Sequence, residues 1–317
     1  MAREEFVFAP LAREEIKFKG LLVAPTGAGK TVSAMLMAYG LCGEWGRIAV
    51  VDTEHQRAKQ IGGQVYGGVR IPQRGDPGGV PLHSTFGPPY SPERFVALME
   101  QVRQGDVCDV LIVDGLTPFW SKSGGVLEIV DKSGGWASAG KTVTPRFNAL
   151  VDAICNAPVH VIMTLRAKMK YVIEGAVDEA TGKQRVTGMK RVGMEGIFRP
   201  DTIEYEATTC WHLDGDDHRA TADKDNTNIF DGALSAVITP ETGKLIRQWC
   251  DGAVSRVGSP EWCDLKQKEL AGYAGTLDGL VQMWVPIFEA KGKIETEAFA
   301  KLVAAKNASK TRLESAK

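Results

Sequence analysis

Apolar residues gather in four short runs: Gly20–Val23 (GLLV), Arg47–His55 (RIAVVDTEH), Asp109–Gly115 (DVLIVDG) and Val159–Arg166 (VHVIMTLR). Continuous rather than alternating apolar character predicts strands buried on both faces, the habit of parallel sheets. Helical segments separate them. TVSAMLMAYGL follows the first run, and Ser91-Pro92-Glu93 opens another helix, Ser91 as cap and Pro92 at the first helical position. Residues 61–89 are crowded with Gly and Pro and predict surface turns around one short strand. Residues 168–190 (KMKYVIEGAVDEATGKQRVTGMK) predict a β-hairpin about DEATGK. After GAVSRVGSP the pattern changes to three helical segments, 263–275, 276–292 and 294–317, with Trp284, Val285 and Phe288 available to pack them. The expected architecture is an α/β core of residues 1–255, with a mainly parallel central sheet flanked by helices, and a small helical extension of residues 256–317.

The segment behind the first run supplies chemistry. APTGAGKT, Ala24 to Thr31, fits the P-loop pattern except that Ala24 replaces the first glycine. In such a loop the backbone N–H groups surround phosphates, Lys30 reaches the β and γ phosphates, and the Thr31 hydroxyl meets Mg²⁺. The helix that follows turns its positive end toward the anion. Pro25, Thr26, Gly27, Ala28, Gly29, Lys30, Thr31 and Val32 are therefore the candidate nucleotide-binding residues, with ATP and Mg²⁺ as cofactors. Open α/β sheets collect ligands at the carboxyl ends of their strands, which places Asp52, Glu54, Asp114 and Thr164 around the loop. Asp114 takes the position of a metal-holding Walker B acid, and Glu54 that of a base for the attacking water.

The order of P-loop, VVDTEH, VLIVDG and VIMTLRAK resembles the RecA-like recombinase ATPases. PPYSPERF, GGVLEIVDK, TPRFNALVDAI, the RAK tripeptide and ADKDNTNIFDG resemble phage-encoded RecA-like ATPases of single-strand annealing and recombination, over about residues 15–250. The resemblance implies a RecA-like P-loop NTPase core, Glu54 as catalytic base, Asp114 as Walker B acid and Thr164 as γ-phosphate sensor. It further implies an oligomeric ring or filament, a single-stranded-DNA partner, a single-stranded-DNA-binding protein as a further partner, and action in the bacterial host cytoplasm. The family's sensor is a polar amide, and Thr164 has a shorter reach. Near Lys224, relatives carry Lys-x-Arg reaching a neighbour's ATP, whereas this chain reads Lys224-Asp225-Asn226. Lys224 is then a catalytic group acting in trans without its arginine, or a solvated turn residue.

Composition narrows the alternatives. A 44% apolar and 24% charged chain is that of a globular protein. MAREEFVFAP lacks the apolar stretch of a signal peptide, and no run is long enough for a membrane span. Six scattered cysteines read as reduced, packed thiols. A net charge of −1 removes any global attraction to nucleic acid, so DNA contact must be local. Two predicted loops leave the carboxyl ends of central strands. Residues 116–144 carry Trp120, Lys122, Lys132, Trp136 and Lys141, although Trp120 could instead cover the sheet. Residues 167–199 carry Lys168, Lys170, Tyr171, Lys183, Arg185, Lys190 and Arg191, the candidate DNA-binding set, diluted by Glu174, Asp178, Glu179 and Glu195. CWHLDGDDH has the wrong spacing for zinc and fits a strand ending in an Asp-Gly turn. His55 is placed to orient Glu54 or to make a plain structural bond. Beside a DNA-dependent ATPase stand two other readings: a nucleoside-kinase-like phosphotransferase, and an ATP-dependent switch or assembly protein with incidental hydrolysis.

Overall fold

The structure, a computed structural model, describes residues 16–54, 56–177, 184–196, 202–215, 217–230, 236–251, 258 and 260–315. Two compact units divide the chain, one of Lys17–Arg247 and one of Met1–Ile16 with Gln248–Lys317.

The larger unit begins with β1 (Lys19–Ala24), α1 (Lys30–Cys42), β2 (Ile48–Asp52), α2 (Arg57–Gln60), β3 (Val65–Tyr66), β4 (Val69–Arg70) and β5 (Leu82–Thr85). It continues with α3 (Pro92–Gln104), β6 (Val110–Asp114), α4 (Thr117–Ser121), α5 (Val126–Lys132), α6 (Trp136–Cys155), β7 (His160–Val177) and β8 (Gln184–Gly196). α7 (Thr202–Glu206), β9 (Thr209–Leu213), β10 (Arg219–Asp225), β11 (Ala236–Val237) and α8 (Pro240–Cys250) follow, the last crossing into the second unit. Among the described residues the sheet runs β11-β10-β9-β1-β7-β6-β2-β5, with β8 added to β7. The strands from β9 to β5 are mutually parallel; β10 runs antiparallel to β9, β11 antiparallel to β10, and β8 antiparallel to β7. This is the mainly parallel α/β sheet that the apolar runs predict.

A strand alternates its side chains between two faces. Leu21, Val23, Ala49, Val51, Leu111, Val113, Val161, Met163 and Leu165 join one core with Phe95, Phe119, Phe147 and Leu150 from the helices. The intervening positions, among them Leu22, Val50, Ile112 and Ile162, are buried on the opposite face. α1 lies against this sheet and is buried on nearly every side, at Ala34, Met35, Leu36, Met37, Ala38 and Leu41. Its approach to α8 is backbone to backbone. A Cβ on Gly40 would stand 1.9 Å from the Pro240 carbonyl oxygen, and one on Gly243 2.1 Å from that of Met37. α3 starts as predicted, the Ser91 hydroxyl accepting from the Arg94 N–H, with Pro92, Phe95, Met99 and Val102 forming its buried stripe.

Two stretches differ from the sequence expectation, and a third carries the predicted hairpin further than expected. Residues 61–89 hold three short strands rather than one, and β5 joins the main sheet parallel to β2. Residues 116–144 are no loop: they are α4, α5 and the start of α6, with Gly-Gly pairs at 124–125 and 134–135 separating helices. Trp120 packs against the core, its ring 6.1 Å from Trp136 and 5.7 Å from Phe147. The 167–199 stretch is occupied by two long strands, because β7 does not end at Arg166. It runs on and pairs with β8 from Ala167↔Gly196 to Val177↔Gln184, with irregularities at 170/171 and 174/175. The DEATGK turn of this hairpin lies outside the described residues.

In the second unit the Ile16 N–H donates to the Cys250 carbonyl at 3.2 Å. α9 (Pro260–Gly272), α10 (Leu277–Glu289) and α11 (Thr296–Ser315) match the three predicted segments. Trp262, Cys263, Leu270, Leu280, Ile287, Ile294 and Leu302 form their core. Trp284 packs against it beside Phe299, but Val285 and Phe288 face outward, 42% and 56% exposed, because the buried stripe of α10 runs through Leu280 and Ile287 instead. No helix among the described residues is long and apolar enough to cross a membrane.

Candidate nucleotide site

Sheet register assembles the site. Asp52 pairs across from Asp114, Leu22 from Thr164 and Ala24 from Arg166. Asp52, Asp114 and Thr164 fall on the strand positions that alternate with the core residues named above, so they share the α1 face at the carboxyl edge. β1 ends at Ala24, and the chain curls through Pro25–Gly29 into α1. Gly29 caps that helix in the left-handed region (φ 83°), a conformation that costs glycine nothing.

Lys30 is buried, and its Nζ donates to the carbonyls of Ala24 at 2.9 Å and Pro25 at 2.8 Å. Burial holds its ammonium below the ordinary lysine value, opposed by the nearby Glu54 and Asp114 carboxylates. Pro25 and Gly29 are half-buried, Thr26 and Gly27 exposed, Ala28 buried, and Thr31 and Val32 half-buried, so the loop keeps an open outer surface. Asp114 is 2% exposed. Its two oxygens accept separately, Oδ2 from the Thr31 hydroxyl at 2.8 Å and Oδ1 from the Thr164 hydroxyl at 2.9 Å. Burial raises its carboxyl above the usual range, and the two hydroxyls counter part of that rise.

Glu54 is 6% exposed and takes a different kind of partner. Its Oε1 accepts from Arg166 Nε at 2.6 Å, and its Oε2 lies 3.7 Å from an Arg57 guanidinium nitrogen. Gly115 makes room for it, since a Cβ there would stand 3.1 Å from Glu54 Oε1. The strand ends are tied together behind these groups. The Thr53 hydroxyl donates to the carbonyls of Asp114 and Gly115, and the Leu116 N–H to the Thr164 carbonyl. The Arg166 N–H donates to the Thr117 hydroxyl. Arg166 received no role from the sequence. Its signal was present, since period-two alternation puts it on the same face as Thr164.

Asp52 sits beside the cluster but works inward. Fully buried, it accepts from the backbone N–H groups of Glu54, Gln56 and Ala58 at 2.7, 3.3 and 3.1 Å, and its Oδ2 lies 3.2 Å from His83 Nε2. Its carboxylate fixes the bend that presents Glu54. His55 lies outside the described residues.

The remaining sequence candidates lie elsewhere. Lys224 follows an irregularity in β10, and its Nζ donates to the carbonyls of Glu204, at 3.0 Å, and Tyr205, on the last turn of α7. Lys168 is exposed at the root of the β7–β8 hairpin. Lys170, Tyr171, Arg185, Lys190 and Arg191 lie along its strands, their side chains outside the description, and Lys183 is outside the described residues altogether. CWHLDGDDH forms β9 and its turn, and no group of three or more His, Cys, Asp or Glu among the described residues could hold a metal ion.

Fold and strand-end cluster define a P-loop nucleotide-binding protein. The family described as "AAA domain" matches residues 16–197, more than half of the chain and all of the strand-end cluster, and the protein belongs to that family. No curated protein matches the chain.

Proposed function

We propose that the protein is a Mg²⁺-dependent ATPase that assembles into a ring or filament and is driven by single-stranded DNA, serving phage recombination or strand annealing. One observation carries the hydrolytic part: a buried carboxylate, Glu54, stands at the strand edge beside the P-loop, oriented by Arg166, while a second carboxylate, Asp114, is engaged by hydroxyls only. The two acids are thereby divided between tasks. The Thr31 hydroxyl and Asp114 carboxylate are hard oxygen donors 2.8 Å apart and would hold Mg²⁺. The metal, when bound, supplies positive charge to the β and γ phosphates.

Lys30 exchanges its two loop carbonyls for phosphate oxygens and anchors the triphosphate. Thr164 senses the γ end through the carboxylate it shares with Thr31. Glu54 orients the attacking water and accepts its proton. The DNA part is supported by the placement of basic residues on a hairpin whose first strand also carries Thr164. Assembly and a trans role for Lys224 are expected from the family resemblance. In such an assembly Lys224 leaves the α7 carbonyls for a neighbour's phosphate.

The test is phosphate release by the parent and by Glu54→Gln, with and without single-stranded DNA. Stimulated release lost in the variant supports the proposal. Transfer to a nucleoside would mark a phosphotransferase, and slow unstimulated turnover a switch. Four phosphate contacts would give a log affinity against log salt slope of about −3 for single strands. Replacing Lys168, Lys170, Lys190 and Arg191 by Ala should flatten it, and a retained slope would move the DNA site elsewhere.

A further inference from the structure

The P-loop has two flanks, and the groups that serve hydrolysis occupy one of them. Thr164 comes from the first third of β7, Asp114 from the end of β6 and Glu54 from just past β2, all on the same side of β1. The other flank is built by β9, which pairs parallel with β1 from Gly20↔Thr209 to Val23↔His212. Beyond Leu213 the chain turns back into β10, and the last residue of that turn is His218.

His218 lies against the P-loop. A Cβ built on Gly29 would stand 3.3 Å from its Nδ1, 3.6 Å from its Cγ and 3.9 Å from its Cβ, so the imidazole rests over the glycine that caps α1. The residue is exposed, although it touches the site's backbone. Its own backbone is left-handed (φ 57°), uncommon for any residue but glycine.

A bound nucleotide is directional. With its γ end at Thr164, Asp114 and Glu54, its phosphate chain crosses the P-loop and its nucleoside leaves on the opposite flank, over Gly29 and the first turn of α1. We propose that His218, where the chain enters β10, marks the nucleoside subsite, its imidazole packing against the sugar and base of a nucleoside di- or triphosphate. The inference rests on the reading of the P-loop as a nucleotide site and adds which side of it receives the nucleoside. An aromatic ring there binds any base by its π face and explains affinity without base identity.

The experiment compares ATP with inorganic tripolyphosphate, which has the same phosphate chain and no nucleoside, by calorimetry with Mg²⁺. His218→Asn keeps a residue that tolerates the left-handed backbone, and His218→Gly removes any conformational demand. Both variants should bind ATP and ADP about tenfold more weakly than the parent, the scale of one lost stacking contact, and bind tripolyphosphate as the parent does. Tripolyphosphate binding also certifies that the loop has folded. Equal weakening of ATP and tripolyphosphate would overturn the proposal by making His218 a prop for the P-loop. Unchanged ATP binding would overturn it as well. A parent that binds neither ligand would instead refute the nucleotide site itself, with Lys30→Ala as the reference for a disabled loop.

Discussion

The two units bury polar groups in opposite ways. The sheet unit sinks Lys30, Asp52, Glu54 and Asp114 below 8% exposure, and together with Thr53, Thr117 and Thr164 they crowd the carboxyl edge of its strands. Among its described residues the helical unit buries one polar side chain, Ser309, whose hydroxyl donates to the Leu270 carbonyl at 2.6 Å and ties α11 to α9. Buried charge is costly unless paired, so a fold without chemistry to perform avoids it. The sheet unit tolerates these four, and Lys19 at the opposite end of β1, by giving each a polar partner. Its stability is spent on a site, whereas the helical unit's goes into packing.

The contrast breaks most sharply at Glu54. Glu54→Gln should lower ATP turnover by about a hundredfold or more with nucleotide binding nearly intact, whereas Lys30→Ala should lose binding too. Steady-state release and calorimetry on the same samples decide it, and parental turnover in Glu54→Gln would remove the base. On the other side, Leu302→Ala opens a cavity in the helical core and should cost that unit about 3 kcal/mol in denaturant unfolding, with ATP affinity unchanged. A matching loss of ATP affinity would show that the division of labour is wrong.

Asp114 tests the cost of buried charge directly. Its folded-state value is raised, so the folded protein holds a proton more tightly than the unfolded chain. Above the unfolded carboxyl value, and so at neutral pH, this tighter proton binding subtracts stability. That deficit shrinks as pH falls through the raised value and is gone below the unfolded one. Asp114→Asn should gain about 1 kcal/mol, roughly 2–4 °C, without nucleotide at neutral pH, and lose Mg²⁺-dependent turnover. A variant melting below the parent at neutral pH would mean that the hydroxyl bonds outweigh burial. The smallest effect belongs to Ser309→Ala, about 1 kcal/mol in the helical unit and none on turnover.

Much of this was legible in the residues. Unbroken apolar runs such as VLIVD specify their own burial on two faces, and the P-loop carries its chemistry in its spacing. Asp114 and Glu54 followed because strand ends are where ligands gather. Orientation was not legible. Asp52 and Glu54 are two residues apart, yet Asp52 turns inward to cap backbone N–H groups while Glu54 meets Arg166, a choice made by His83 and by a strand 112 residues away. Within residues 61–89 the sequence signals one short strand but not its position, because LHST is short and mostly polar and only its neighbour β2 gives β5 a place. The α4–α6 region reads as a loop because its serines and glycines break up the apolar pattern, whereas in the fold the glycine pairs separate helices.

β7 carries a consequence of its own. It is one uninterrupted strand of 18 residues, with Thr164 and Arg166 at its inner end and the hairpin arm beyond. At about 3.3 Å per residue, the arm reaches some 35 Å past Arg166. Thr164, which bonds Asp114, Arg166, which bonds Glu54, and the arm therefore share one backbone, so a displacement of the arm is passed along the strand to both bonds. The irregularities at 170/171 and 174/175 are the joints along that lever.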